Sequence, residues 1–432
     1  MESIREQQWH LDVMKVPEIW TTSKGQGITV AVIDGGFNFE HPDLLGQLLP
    51  GKDFSGLPGG VGTSSDGHGT GIASLIAGSG KGMGGKGAFG LAPGARVLPL
   101  KIKNDSNAGR VATTEFFKQI GHAITYAADQ GAKVINISQG GTLAGASEAD
   151  MAAMTGAVSH AAAKGALVVA SVGNSAQSGN PIEYPGALPG VVGVGAVDRN
   201  GWVAPESEQG PQVDVAAPGV DMYNACIGPS GYCKTHGTSD AAAIVSASAA
   251  LLWAVHPEWS ANQVVRVLIN TAGKPTDGSD RNDIVGYGIV RPRVALTEPG
   301  DPGPADVYPI PEQAVGESSP APSSPAPSSP APSSPAPSSP APSSPAPSSA
   351  APSSAVPAAP VSPAGSSGVP GEGKAVGEAA GSGGVVPVVA AVAGGLVLVS
   401  GGVAFVVVRR RSARPGAAGV PPLPPSGNPY VR

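Results

Sequence analysis

Apolar residues come in short unbroken runs from about residue 28 to residue 271, separated by longer stretches in which apolar and polar positions alternate at helical spacing. Ile28-Thr29-Val30-Ala31-Val32-Ile33 is β-branched and apolar without alternation, so it predicts a strand buried on both faces. Residues 97–102, 133–137, 167–170, 191–197 and 213–216 have the same character. Helices are predicted near 113–129, where Phe116, Phe117, Ile120 and Ile124 recur on one face, and near 150–164 and 239–255. Strand and helix in alternation predict an α/β fold, a mostly parallel sheet with helices on both faces. A helix near 260–271 and a turn at 286–290 close a domain long enough for one large core. Ahead of it, residues 1–24 carry Ile4, Trp9, Leu11, Ile19 and Trp20 without a steady period, which predicts an irregular arm anchored by its tryptophans.

Past residue 297 the pattern disappears. A Ser-Ser-Pro-Ala-Pro unit repeats from about residue 318 to 349, and proline at this density forbids helix and sheet. Residues 298–384 are therefore expected to be a disordered stalk in extended polyproline II form, spanning on the order of 200 Å. A docking site for proline-binding partners is the rival reading, and the regularity favours the spacer. Residues 385–408 are apolar or small throughout, about the ~20 residues that a transmembrane helix needs. Arg409, Arg410, Arg411 and Arg414 follow, which predicts a single-pass protein of the cell membrane with residues 409–432 cytoplasmic and the N-terminal domain extracellular. No basic stretch with an apolar run precedes Glu2, so no signal peptide is visible.

The charge balance changes little in this picture. A formal net charge of −6, with 13% of residues charged, gives no reason to expect a nucleic-acid partner. Cys226 and Cys233 flank Ile-Gly-Pro-Ser-Gly-Tyr at a spacing that allows a disulfide if the domain is exported, two free thiols being the alternative. No zinc-type Cys/His spacing is present, and neither metal nor cofactor is expected.

Candidate chemistry gathers at three glycine-rich turns. In Thr235-His236-Gly237-Thr238-Ser239-Asp240 a hydroxyl stands where a turn becomes a long small-residue helix, so Ser239 meets unpaired backbone N–H groups. By itself Ser239 or Thr238 reads equally as an N-cap. Asp34 ends the first buried strand, and His68 lies in Asp66-Gly67-His68-Gly69-Thr70-Gly71 before a small-residue helix. Asp, His and Ser in that order form one of the known chain orders of a nucleophile–base–orienter triad. The Val-Ile-Asp-Gly-Gly, His-Gly-Thr-Gly-Ile-Ala and Gly-Thr-Ser-Asp-Ala-Ala blocks together resemble the subtilisin-like (S8) serine proteases, and the resemblance runs from about Trp9 to Thr297.

The resemblance implies a catalytic triad of Asp34, His68 and Ser239, with Asn174 donating to the oxyanion. It implies that Ser138, Gln139 and Gly140, with Ser171 and Gly173, bind an extended polypeptide substrate. Read without it, Asn174 is an ordinary turn residue and 138–140 a strand end. The Gln-Trp-His-Leu segment of the arm is similar to the mycosin subgroup, which implies type VII secretion membrane components as partners. Asp240 and Ala243 stand where most members have Met and Pro, and Gln139 replaces a residue that is usually apolar. The expected protein is an extracytoplasmic serine endopeptidase anchored by its C-terminal helix. Its rivals are a generic degradative surface subtilase and a structural component of a secretion complex with a vestigial triad.

Overall fold

The six apolar runs become strands and an unforeseen two-residue strand, β2, joins them: β1 (Thr29–Asp34), β2 (Lys52–Asp53), β3 (Arg96–Lys101), β4 (Val134–Ile137), β5 (Leu167–Ser171), β6 (Val191–Val197) and β7 (Val215–Pro218). All pair in parallel, in the order β2-β3-β1-β4-β5-β6-β7. The computed structural model describes residues 3–64, 66–311 and 430. The stalk beyond residue 311, the membrane helix expected at 385–408 and, except for Tyr430, the expected tail lie outside the described residues.

In the central strands β1, β4 and β5 side chains alternate across the sheet. Val30 and Val32 of β1, Val134 of β4 and Val169 of β5 enter one core. Ala31, Ile33, Ile135, Ile137, Val168 and Ala170 enter the other. Both faces are thus buried, as the unbroken runs require.

Three short helices form the arm: α1 (Ile4–Gln7), α2 (Trp9–Val13) and α3 (Val16–Thr22). This corrects the expectation of an irregular segment. The helices are too short to show a period of 3.6, and side chains hold them instead: Trp9 Nε1 donates to Val220 O at 2.9 Å and Trp20 Nε1 to Leu91 O at 2.9 Å. Leu11, Val16 and Ile19 are fully or almost fully buried beneath the arm.

Eight helices follow: α4 (His68–Ala77), the single turns α5 (Gly82–Gly85) and α6 (Asp105–Ala108), α7 (Thr113–Asp129), α8 (Glu148–Ala163), α9 (Thr238–Val255), α10 (Ala261–Asn270) and α11 (Pro292–Thr297). On one face of the sheet α7 buries Phe117, Ile120 and Ile124, and α8 buries Met154, Ala157, Val158 and Ala161. On the other, α9 is buried at every residue from Thr238 to Trp253. This helix is long and apolar enough to cross a membrane, yet 83% of it is buried in the protein, which makes it the core helix of the fold.

Four details differ from expectation. The last strand begins at Val215, two residues later than the apolar run, because Val213 N–H closes a turn on Gly210 O at 3.1 Å. A hairpin of β8 (Met222–Ala225) and β9 (Tyr232–Thr235) was not foreseen. Residues 302–307, assigned to the start of the stalk, are strapped to α10 by Arg266, which donates to Pro302 O at 2.7 Å and to Val307 O at 2.6 Å. Tyr430 packs on Trp9, ring centroids 6.4 Å apart, and its hydroxyl donates to Asp198 O at 3.1 Å.

Candidate active site

The chain runs outward from β1 in both directions, β3 on one side and β4 on the other, so the carboxyl ends of β1, β4 and β5 flank a topological switch point. Asp34 is the last residue of β1 and is fully buried. It accepts from the Gly35 amide at 2.7 Å and lies 2.8 and 3.0 Å from His68 Nδ1 through its two oxygens. His68 opens α4. The close approach depends on Gly69, where a Cβ would stand 2.5 Å from the Gly36 carbonyl oxygen and 3.0 Å from Asp34 Cβ.

Burial of the His68 ring disfavours its charged form, but the Asp34 carboxylate outweighs this by charge and hydrogen bond, helped by Asp240 and Asp66, and raises the pKa to about 9. A third of the side chain (32%) is open to solvent, which screens the more distant partners.

Ser239 is the second residue of α9, 9% exposed, and its Oγ donates to Ser138 O at 3.2 Å. Ser138 Oγ donates back to Ser239 O at 3.0 Å. Behind this pair, Asn136 Nδ2 donates to Ser138 Oγ at 3.0 Å and Ser246 Oγ to Asn136 Oδ1 at 2.9 Å. Buried polar groups thereby tie the end of β4 to the first three turns of α9. With Ser239 turned to Ser138, the hydrogen bonds of the described residues do not join it to His68.

Asn174 follows β5. Its Oδ1 accepts from the Thr238 amide at 2.8 Å and the Thr238 hydroxyl at 3.0 Å, which leaves Nδ2 as a donor beside the first turn of α9. Gly237 precedes that turn at φ 134°, and a Cβ there would lie 3.1 Å from Asn174 Oδ1. Gln139, expected to bind substrate, lines the cleft next to His68 and hydrogen-bonds at its wall: its Nε2 donates to Asp34 Oδ1 at 3.3 Å, and Asn104 Nδ2 donates to its Oε1 at 3.3 Å. Gly140 lines an open cleft of about 320 Å³ with His68, Asn104, Asp105, Phe116 and Gln139. Ser171 ends β5, and Gly173 and Asn174 follow it.

The structure brings together three groups that the sequence reading did not place. Asn104 belongs to the Gln139 contact just described. Asp240 is buried and turned to β9, where Thr235 Oγ1 donates to it at 2.6 Å. Burial raises its pKa to about 6, against the opposing pull of Thr235, His68 and His236. Glu183 and Glu208 meet behind Gly140 and Gly173. Their signal in the sequence is only that of polar residues in a loop. The Cys226–Cys233 disulfide is formed and closes the β8–β9 hairpin. Among the described residues no group of three or more His, Cys, Asp or Glu side chains could hold a metal ion.

The sequence matches the subtilase family over residues 25–288. Thermitase of Thermoactinomyces vulgaris is 33% identical over 267 residues, 60% of this chain and 86% of its own length. The crystal structure of MycP1 from Mycobacterium smegmatis superposes with a TM-score of 0.61 at 28% identity, covering 69% of this chain and 86% of that one. A chain of an intact ESX-5 inner membrane complex superposes with a TM-score of 0.60 at 30% identity, covering 74% and 84%. A parallel α/β sheet, a buried Asp34–His68 pair at its switch point and a match over residues 25–288 have one meaning: the chain belongs to the subtilase family of serine peptidases.

Proposed function

We propose that the chain is a membrane-anchored serine endopeptidase acting outside the cytoplasm on secreted or cell-surface polypeptides, in association with type VII secretion. The observation that carries the catalytic part is the fully buried Asp34 held 2.8 Å from His68, with Ser239 and Asn174 on the two sides of the first turn of α9. Asp34 fixes the tautomer of His68 and stabilises its imidazolium. His68 Nε2 takes the proton of Ser239 as Oγ swings from Ser138 O to attack the scissile carbonyl. Asn174 Nδ2 and the Ser239 amide receive the oxyanion. The proton then passes to the leaving amine, and water hydrolyses the acyl-enzyme.

The proposed division is an arm at 1–24, the protease domain at 25–297, a linker at 298–384, a membrane helix at 385–408 and a cytoplasmic tail at 409–432, with 298–311 resting on the domain. Hydropathy and the arginines after residue 408 support the anchor. The likeness to a chain of the ESX-5 inner membrane complex supports the setting. Tyr430 argues the other way, because a tail across a bilayer cannot pack on Trp9. Protease accessibility of a C-terminal tag on intact cells decides: protection supports the anchored topology, and cleavage with retained Trp9–Tyr430 packing overturns it.

A scaffold with an idle triad is the second reading, favoured by the unformed His68–Ser239 bond. Ser239→Ala separates the two. The endopeptidase reading predicts loss of all cleavage by the variant, whereas a scaffold would support secretion unchanged and the wild type would cleave nothing.

A further inference from the structure

Glu208 is fully buried, and among the described residues its carboxyl faces only the neighbouring acid Glu183 and the Ser175 backbone, with no cation beside it. Other buried acids are satisfied: Asp34 by Gly35 and His68, Asp43 by Gly82 and Ala88, Asp214 by Gly193, Asp240 by Thr235. Among the described residues the acid that reaches Glu208 is the partly exposed Glu183, while Ser175 faces both. No lysine or arginine acts on either carboxyl. Burial raises both pKa values, that of Glu208 further through the Glu183 charge, so the pair without a cation resists full ionisation. An orphaned buried acid of this kind costs stability unless something pairs it.

The pair's position says what could. On the endopeptidase reading, with the scissile carbonyl at Ser239 and its oxygen at Asn174, the side chain on the acyl side would be directed between the ends of β4 and β5, toward Ser138–Gly140 and Ser171–Asn174. Glycines on the two rims let the two carboxyls lie against the backbone. A Cβ at Gly140 would lie 2.8 Å from Glu183 Oε2, and one at Gly173 would lie 2.6 Å from Glu208 Oε1. The Glu183 segment is clamped to the first rim by paired Gly141 and Tyr184 backbones at 2.9 and 3.0 Å, and Glu208 N–H is bonded to the second rim through Gly173 O at 3.1 Å. Two carboxyls that lack a cation therefore stand against both segments.

We propose that Glu183 and Glu208 form the floor of the pocket for the residue on the acyl side of the scissile bond and select lysine or arginine there. The inference rests on the endopeptidase reading and names its substrate class. Glu183 meets the ammonium or guanidinium directly and Glu208 backs it from below. Entry of the cation favours the ionised pair, so binding releases any proton the pair holds.

The test uses full-length chain in detergent and a set of peptides identical except at the residue before the cleaved bond. The expected kcat/KM for arginine or lysine exceeds that for glutamine or leucine by about 30-fold or more. Glu183→Gln lowers the arginine value by about 10-fold or more, chiefly through KM, and changes the leucine value by much less. Glu183→Arg shifts preference toward acidic residues and serves if Glu208→Gln fails to fold. Equal rates for arginine and leucine, or an equal loss on every peptide in Glu183→Gln, overturn the pocket. Fluorophosphonate labelling of Ser239 in the same samples separates the layers. Labelled enzyme without basic preference refutes only this inference, and unlabelled enzyme refutes the endopeptidase reading with it.

Discussion

The two faces of the sheet are packed by different rules. On one, α7 and α8 press large side chains such as Phe117, Ile120 and Met154 into the core and leave their other sides to water. On the other, α9 is buried all round and is built from Ala and Ser along most of its length. Small residues bring the α9 backbone close to β4, β5 and β6, and its positive N-terminus reaches the strand ends where Asn174 and Ser138 wait. The face of large residues supplies stability, and the face of small ones supplies position.

If that division holds, damage to the two faces has different consequences. Phe117→Ala should cost about 3–5 kcal/mol of unfolding free energy by leaving a cavity, measured by denaturant titration, while kcat per labelled Ser239 stays at the wild-type value. A fall in kcat would mean that the faces are not independent. Ser246→Ala removes the donor to buried Asn136 Oδ1 and should cost only about 1–3 kcal/mol. It should nevertheless lower kcat, because Asn136 holds Ser138 against Ser239.

Asp240→Asn tests electrostatics on the small-residue face alone. Removing a carboxylate that raises the His68 pKa must lower it, so the acidic limb of kcat/KM against pH should move to lower pH. An unmoved limb would show that Thr235 and solvent already neutralise the charge. The smallest effect belongs to the arm. His10 is fully buried with neither ring nitrogen bonded, and burial, then Arg5, lowers its pKa to about 3. Its neutral form stabilises the fold fully above the ordinary histidine pKa, and that stability is lost as pH falls from there toward 3, by about 1.4 kcal/mol per pH unit at most. His10→Phe should flatten the dependence between pH 7 and 5, as read by thermal unfolding.

The sequence was most informative where one local rule decides the outcome. Unbroken β-branched runs gave the strands, and Phe117, Ile120 and Ile124 gave α7. The arm helices of four to seven residues were hidden because packing rather than periodicity makes them. β8 and β9 were hidden for a related reason: β9 is half-exposed and carries no apolar run. Within the site, Asp34, His68, Asn174 and Ser239 sit in glycine-rich turns whose order carries information. Gln139 and Glu208 do not. That one turns toward Asp34 and the other is fully buried depends on chain segments 30 to 105 residues away.

The central claim is that Ser239 is activated by a histidine held on Asp34. Full-length protein exposed to a fluorophosphonate, digested and read by mass spectrometry tests it directly. The account predicts one adduct, on Ser239, absent in His68→Ala and strongly reduced in Asp34→Asn. An unmodified Ser239 in folded wild-type protein, or labelling that persists without His68, would contradict it.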